Sequence, residues 1–288
     1  MANRGDMTRV SSREMMRRMR SPALLVSMLP VLLLGAPVHA GEAPPQDVQE
    51  LFLTETADPQ ERFELQATLG IQGGWRDTWE SMELSLIAEL GLTDRLQVGA
   101  RVPVQWSLGA EGRGDSGPGL ELGLLYALVS REDLGLVVSP QLELELPLSL
   151  SRANAPGLEL TPSVSVAQWL GAVRLHLNLA LGVQVPEGEQ RELELEPAVN
   201  VAVTVTRGPL VPLLELGLSW EEDEARVWLA PGLVWRAASW FQLGVGVPAR
   251  LGPGGVAEVR PTLLLTGELA LAGEKERGGS GEDGGSAP

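Results

Sequence analysis

The feature that most limits what this chain can become is a period of two, sustained over unusually long segments. In residues 95–106, RLQVGARVPVQW, the side chains of Leu96, Val98, Ala100, Val102, Val104 and Trp106 share one face, and Gln97, Gly99, Arg101, Pro103 and Gln105 share the other. In residues 172–185, AVRLHLNLALGVQV, seven apolar residues from Val173 to Val185 line one face, while Arg174, His176, Asn178 and Gln184 line the opposite one. Residues 191–205, RELELEPAVNVAVTV, repeat the pattern. Successive side chains of a strand point to opposite faces, so each segment is a two-faced strand. Soluble strands are usually about 5–6 residues long. A tilted strand that crosses a bilayer needs about 9–11.

Twelve such segments are expected, near 61–72, 80–91, 95–106, 119–129, 133–147, 158–168, 172–185, 191–206, 210–220, 225–235, 239–249 and 256–271. Their links alternate. Those at 73–78, 107–118, 148–157, 186–190, 221–224 and 250–255 are long or polar; those at 92–94, 130–132, 169–171, 207–209 and 236–238 are tight. Outer-membrane barrels combine short periplasmic turns with longer outer loops, and an even strand number returns both chain ends to one side. Closure also removes the edges that an open twelve-stranded sheet would expose. The fold class expected is therefore all-β, a single antiparallel up-and-down transmembrane barrel. The alternative is a secreted soluble β protein, but it needs a second layer to cover the apolar face, and no second set of elements is evident.

The aromatic residues fit two interfacial girdles. Trp75, Trp79, Trp106, Trp220 and Trp228 fall near the loop ends of their strands, and Trp169, Trp235 and Trp240, with Tyr126 and Phe241, fall near the tight turns. The prolines trouble this picture, because Pro cannot donate to a ladder. Pro103, Pro147, Pro186 and Pro248 suit strand rims; Pro162, Pro197, Pro231 and Pro261 are expected at bulges or the outer rim.

The two ends read differently from the middle. Residues 1–40 carry Arg17, Arg18 and Arg20, then the apolar stretch 23–34, then Val38-His39-Ala40, the layout of a cleaved export signal. Residues 41–60 read as a periplasmic lead-in, with 51–57 (LFLTETA) a short ordered piece; a docked plug is expected to need more chain. Residues 272–288, AGEKERGGSGEDGGSAP, are expected to be a disordered tail. They follow the last strand, where a terminal aromatic usually ends such a barrel.

Charge and composition exclude several chemistries. The chain has 22 Lys+Arg against 38 Asp+Glu and no Cys. Nucleic acid is not an expected partner of so acidic a surface, and thiolate nucleophiles and Cys-ligated metals are ruled out. Removing residues 1–40 takes away six Arg and two acids and leaves one histidine, His176. Nucleophilic catalysis would need that histidine beside a serine. Pairing across the 169–170 turn places Ser163 opposite it, with Asn178 nearby, but no G-x-S-x-G motif occurs. The chain is read as a non-enzyme, with no catalytic, cofactor-binding or metal-binding residues and no cofactor.

Residues 91–104, GLTDRLQVGARVPV, and 116–129, SGPGLELGLLYALV, resemble the signature segments of a large family of outer-membrane barrels. Many of its members are described as transporters, and some are linked to the degradation of phenol and other aromatic compounds. The family pattern is a GLTDRL-type turn, a strand ending in Pro, and a glycine-rich loop of the GLGD kind; here Leu120 or Glu121 stands in place of the Asp. The pattern extends over most of residues 60–271, with only the first two hairpins specific. The resemblance implies a barrel and passive transport, without a substrate.

If the apolar face meets lipid, the other face lines the interior, where acids outnumber bases. Glu143, Glu145, Arg174, His176, Glu194 and Glu196 are the candidate lumen-lining residues. Carboxylates in a wet lumen favour cations. The function expected is passive passage of small hydrophilic or cationic solutes through the outer membrane of a Gram-negative bacterium; the alternative is a non-conducting structural or surface-binding barrel. The expected partners are outer-membrane lipid, lipopolysaccharide facing acidic loops such as 221–224, the barrel assembly machinery and the solutes themselves.

Overall fold

In a computed structural model, residues 48–76, 79–107, 119–147, 157–185, 193–221 and 224–271 are described. The export signal, residues 41–47, most of the long loops and the tail at 272–288 lie outside them, as do most of the acidic loop residues. Apart from one 3-10 turn at Glu132–Leu134, every described element is β.

The elements form twelve barrel strands. They are β1 (Glu64–Trp75), β2 (Trp79–Thr93), β3 (Leu96–Ser107), β4 (Gly119–Tyr126, continued by Val129–Arg131), β5 (Leu136–Pro147) and β6 (Leu158–Leu170). Then follow β7 (Val173–Val185), β8 (Glu194–Val205), β9 (Leu210–Glu221), β10 (Glu224–Ala238), β11 (Phe241–Gly246 and Ala249–Gly252) and β12 (Gly255–Val259 and Thr262–Ala270). Each pairs antiparallel with the next, and β12 pairs back onto β1 from Glu64↔Ala270 to Gln72↔Thr262, closing the sheet. The protein is a single closed antiparallel β-barrel. Closure gives every strand two partners, so no row of backbone donors meets lipid unpaired.

Burial alternates as the period of two requires. Leucines and valines such as Leu86, Leu124, Leu142, Leu195, Leu214 and Leu269 are exposed on the outer face. On β7, the inward neighbours Arg174, His176 and Asn178 are buried. Trp75, Trp79 and Trp106 are exposed near the loop ends, and Trp235 and Trp240 near the tight turns, where Trp240 lies 5.7 Å from the Phe241 ring. Two girdle assignments are corrected. Trp169 and Trp228 face inward, each under an arginine: Arg174 sits 4.9 Å over Trp169, and Arg260 sits 4.5 Å over Trp228.

The prolines sit where a ladder pauses. The β8–β9 ladder stops at Ala198↔Ser219, one residue from Pro197. The β6–β7 ladder skips from Leu160↔Val183 to Ser163↔Ala180, across Pro162. Pro248 divides β11 and Pro261 divides β12, with the Pro231 carbonyl accepting from the Val247 N–H at 3.0 Å. Pro103, Pro162, Pro197 and Pro231 therefore lie within strands, and Pro248 lies mid-strand, not at a rim. The missing N–H is spent at an interruption, where no partner is lost. Around the β11 and β12 breaks, Trp79, Met82, Leu233, Val247 and Leu263 line a groove of about 860 Å³. The expected long link at 250–255 is in fact a tight turn, Gly252↔Gly255.

The register also separates the serine and histidine considered for catalysis. The β6–β7 turn is Gly171-Ala172, with Gly171 at φ 66°, so His176 pairs with Ala167, while Ser163 pairs with Ala180. Asn178 donates instead to Ser165, at 3.0 Å.

Candidate functional site

The main correction concerns residues 48–62. They do not hang outside the barrel as a lead-in. They run through its interior, entering and leaving at the end that bears the tight turns. Val48 and Leu51 are buried against Ala202, Val211, Leu213 and Val234, inward residues of β8, β9 and β10. The segment climbs to Phe52–Thr54, turns, and descends past Thr56 and Ala57 to Gln60 and the start of β1. Fifteen residues suffice because a twelve-stranded barrel is narrow and the segment crosses it without secondary structure of its own.

A segment without helix or strand leaves its backbone polar groups to other partners, and the barrel wall supplies them. Glu215, fully buried on β9, accepts the backbone N–H groups of Phe52 at 2.7 Å and of Leu53 and Thr54 at 2.8 Å. The carbonyls of Thr56 and Ala57 accept from Gln141 at 2.9 Å and from Ser139 at 2.5 Å. The Gln60 N–H donates to Gln97 at 2.7 Å, and the Gln49 N–H donates to Gln242 at 3.3 Å. Arg174 pairs with Asp58 of the segment. Apolar contact completes the fit. The Phe52 ring lies over Gly232 and Gly246; a Cβ at Gly246 would stand 2.7 Å from the ring, and one at Gly232 would overlap it. Gly91 is required in the same way, since a Cβ there would collide with the Gln60 and Glu61 carbonyls.

On the loop side of this segment the lumen opens into a cavity of about 380 Å³. Its charged lining is Glu50 and Glu55 from the segment and Glu83, Glu89, Glu121, Glu143 and Arg101 from β2 to β5. Arg101 reaches Glu83 at 2.9 Å and Glu121 at 3.4 Å, so the remaining carboxylates outnumber the cation. On β12, the other neighbour of β1, the balance reverses: Glu258 holds Arg260 at 2.7 Å, Arg250 at 3.2 Å and Arg76 at 3.5 Å.

The six residues singled out from the sequence fall at three levels. Glu143 lines the cavity, with Glu145 two residues along the same strand face. Arg174 and His176 lie deep beside the segment, at 2% and 1% exposure, and Arg174 holds it directly. Glu194 and Glu196 stand at the loop end of β8, where Glu196 accepts from Gln184 at 3.4 Å. They do not form one cluster. Sequence reasoning missed Glu215, Gln141, Ser139, Gln97 and Gln66, which bind the segment, and the apolar inward set of β8–β10. The signal was present: Val211, Leu213 and Val234 break the polar side of the alternation, and an apolar residue on the inner face needs something to bury it.

The fold has solved counterparts. The chain is similar to the NanC porin, with a TM-score of 0.55 at 10% identity over 70% of this chain and 100% of that one. It is similar to an outer membrane channel from Pseudomonas putida F1, with 0.52 at 12% over 74% and 98%. It is also similar to the KdgM porin solved in complex with disordered oligogalacturonate, with 0.51 at 10% over 69% and 98%. The fold is the closed barrel that these porins and this channel share. At these identities the likeness speaks for the barrel and supports an outer-membrane location; it does not single out the aromatic-degradation type. No family model matches the sequence, and no curated protein does.

Proposed function

We propose that this protein is a gated outer-membrane channel for small hydrophilic solutes, with residues 48–62 as the gate and cations favoured at its outer vestibule. The observation that carries the reading is the segment itself, seated across the lumen and held by wall side chains rather than by its own structure. Such a segment is removable without breaking a ladder, because none of its bonds belongs to the barrel sheet. The tight turns face the periplasm in this reading, so the gate enters from the periplasmic side and the acidic cavity faces outward. Excess carboxylate there raises the local concentration of cations and repels anions. That lining differs in sign from what a polyanion such as the oligogalacturonate bound to KdgM calls for.

The test is reconstitution of the folded barrel in planar bilayers, intact and with residues 41–60 deleted, under a KCl gradient. The deletion should open a steady conductance with a cation-selective reversal potential. The same filled lumen favours the second reading, a non-conducting structural or binding barrel, and a deleted barrel that folds yet carries no current would establish it instead.

A further inference from the structure

One contact between the gate and the wall differs from the rest, because it joins like charges. The side-chain amide of Gln66, on β1, donates through a single nitrogen to two carboxylates: Glu50 of the gate at 2.9 Å and Glu89 of β2 at 2.8 Å. Thr68 adds a hydroxyl at 3.3 Å from the same Glu50 oxygen, and Gln97 of β3 donates to the other Glu89 oxygen at 2.6 Å. Two acceptors on one nitrogen lie within about 6 Å of each other. The other charged groups facing the bridge are Glu55 on the gate, Glu83 on β2, Glu121 on β4, Glu143 on β5, Arg101 on β3 and Glu268 on β12, which pairs with Gln66 in the register. Arg101 is engaged by Glu83 and Glu121. No cation touches either carboxylate among the described residues, and the hydrogen bonds that hold the pair come from neutral donors.

Two carboxylates this close, shielded by a barrel wall, do not both ionise without cost. We propose that the Glu50–Gln66–Glu89 bridge is a pH-sensitive latch, closed on the gate while the pair retains a proton and released when both carboxylates are ionised. The inference rests on the reading of residues 48–62 as a gate and adds what moves it. The released proton passes to solvent, and no bond other than O–H is broken.

The direction follows from linkage. In the docked gate the Glu50 carboxyl is held well above its usual range, by burial first and then by the negative charges of Glu89 and Glu55, with the Thr68 hydroxyl and Arg101 opposing. Burial raises Glu55 as well, with Arg101 opposing. A released gate places both in water at their ordinary value near 4.5. The docked state therefore binds protons more tightly. Docking is strongest below that ordinary value and weakens as pH rises through the raised one.

The absence of cysteine provides the test. Ala57 is 1% exposed in the docked gate, so an Ala57→Cys variant of the full chain reports gate release by its rate of maleimide labelling. Labelling is followed from about pH 5 to about pH 8. Each rate is divided by that of the same cysteine in a Glu50→Gln background, which cancels the thiol's own ionisation and keeps an acceptor for Gln66. The normalised rate should rise at least tenfold, Glu89→Gln should abolish the rise, and bilayer conductance should rise in parallel. A flat normalised rate overturns the latch. A rising rate without conductance leaves the latch standing and rejects the channel. Should Glu50→Gln fail to fold, shown by loss of the heat-dependent shift in gel mobility, Glu89→Gln serves as the reference background.

Discussion

The inner wall of this barrel is two surfaces. From β2 to β5 its inward positions carry Glu83, Glu89, Glu121, Glu143 and Arg101, and they face a cavity. At the level of the gate, β8 to β10 carry Ala202, Val211, Leu213, Gly232 and Val234 against it, with one embedded carboxylate, Glu215, that binds it. The outer wall shows no such division; leucine and valine run round it. Lipid demands one chemistry everywhere, whereas an interior takes the chemistry of whatever fills each part of it. The acidic half encloses an open cavity, and the apolar half a segment of its own chain.

The two halves separate most sharply when the gate is removed. Deleting residues 41–60 empties the apolar half and should produce the largest change, a rise in single-channel conductance of at least tenfold with the barrel still folded. Glu215→Ala comes next. It strips the acceptor from three backbone N–H groups and should weaken gate docking by about 3–5 kcal/mol, read as faster labelling of a gate cysteine. Phe52→Ala removes the partly buried ring from its glycine seat and should weaken docking by about 2 kcal/mol, read the same way, with barrel stability unchanged. The smallest effect belongs to the acidic half. Glu121→Gln with Glu143→Gln, made in the gate-deleted barrel, should shift the reversal potential toward that of a neutral pore without changing conductance more than a few-fold. An unmoved reversal potential would show that these carboxylates do not act on permeating ions.

Much of the barrel was legible in the sequence, because a strand's two faces are written residue by residue. Runs such as Val173 to Val185 disclosed strand, face and length together, and the tight turns at Gly171 and Gly208 disclosed the order. The register was less legible. A shift in the turn from 169–170 to Gly171-Ala172 moved Ser163 away from His176, and nothing local to the chain marks that shift beyond one glycine. The gate was hidden for a different reason. Residues 48–62 have no periodicity, since their hydrogen bonds go to side chains more than thirty residues away, such as Gln97 and Glu215. Its traces lay on the other partner, in the apolar and glycine positions of β8–β11 that no soluble lumen needs. Trp169 and Trp228 misled for the same reason: a girdle and an interior arginine both want a tryptophan near a strand end.

In the proposed channel, residues 48–62 close the lumen by staying docked in it. A disulfide between Ala57→Cys and Ser139→Cys, at a contact where the serine hydroxyl already meets the Ala57 carbonyl at 2.5 Å, ties the gate to β5 in a chain that otherwise lacks cysteine. Recorded in one bilayer at mildly alkaline pH, the oxidised protein should be nearly silent, and added reductant should raise its conductance at least tenfold. Equal currents through the locked and the reduced protein would contradict the account.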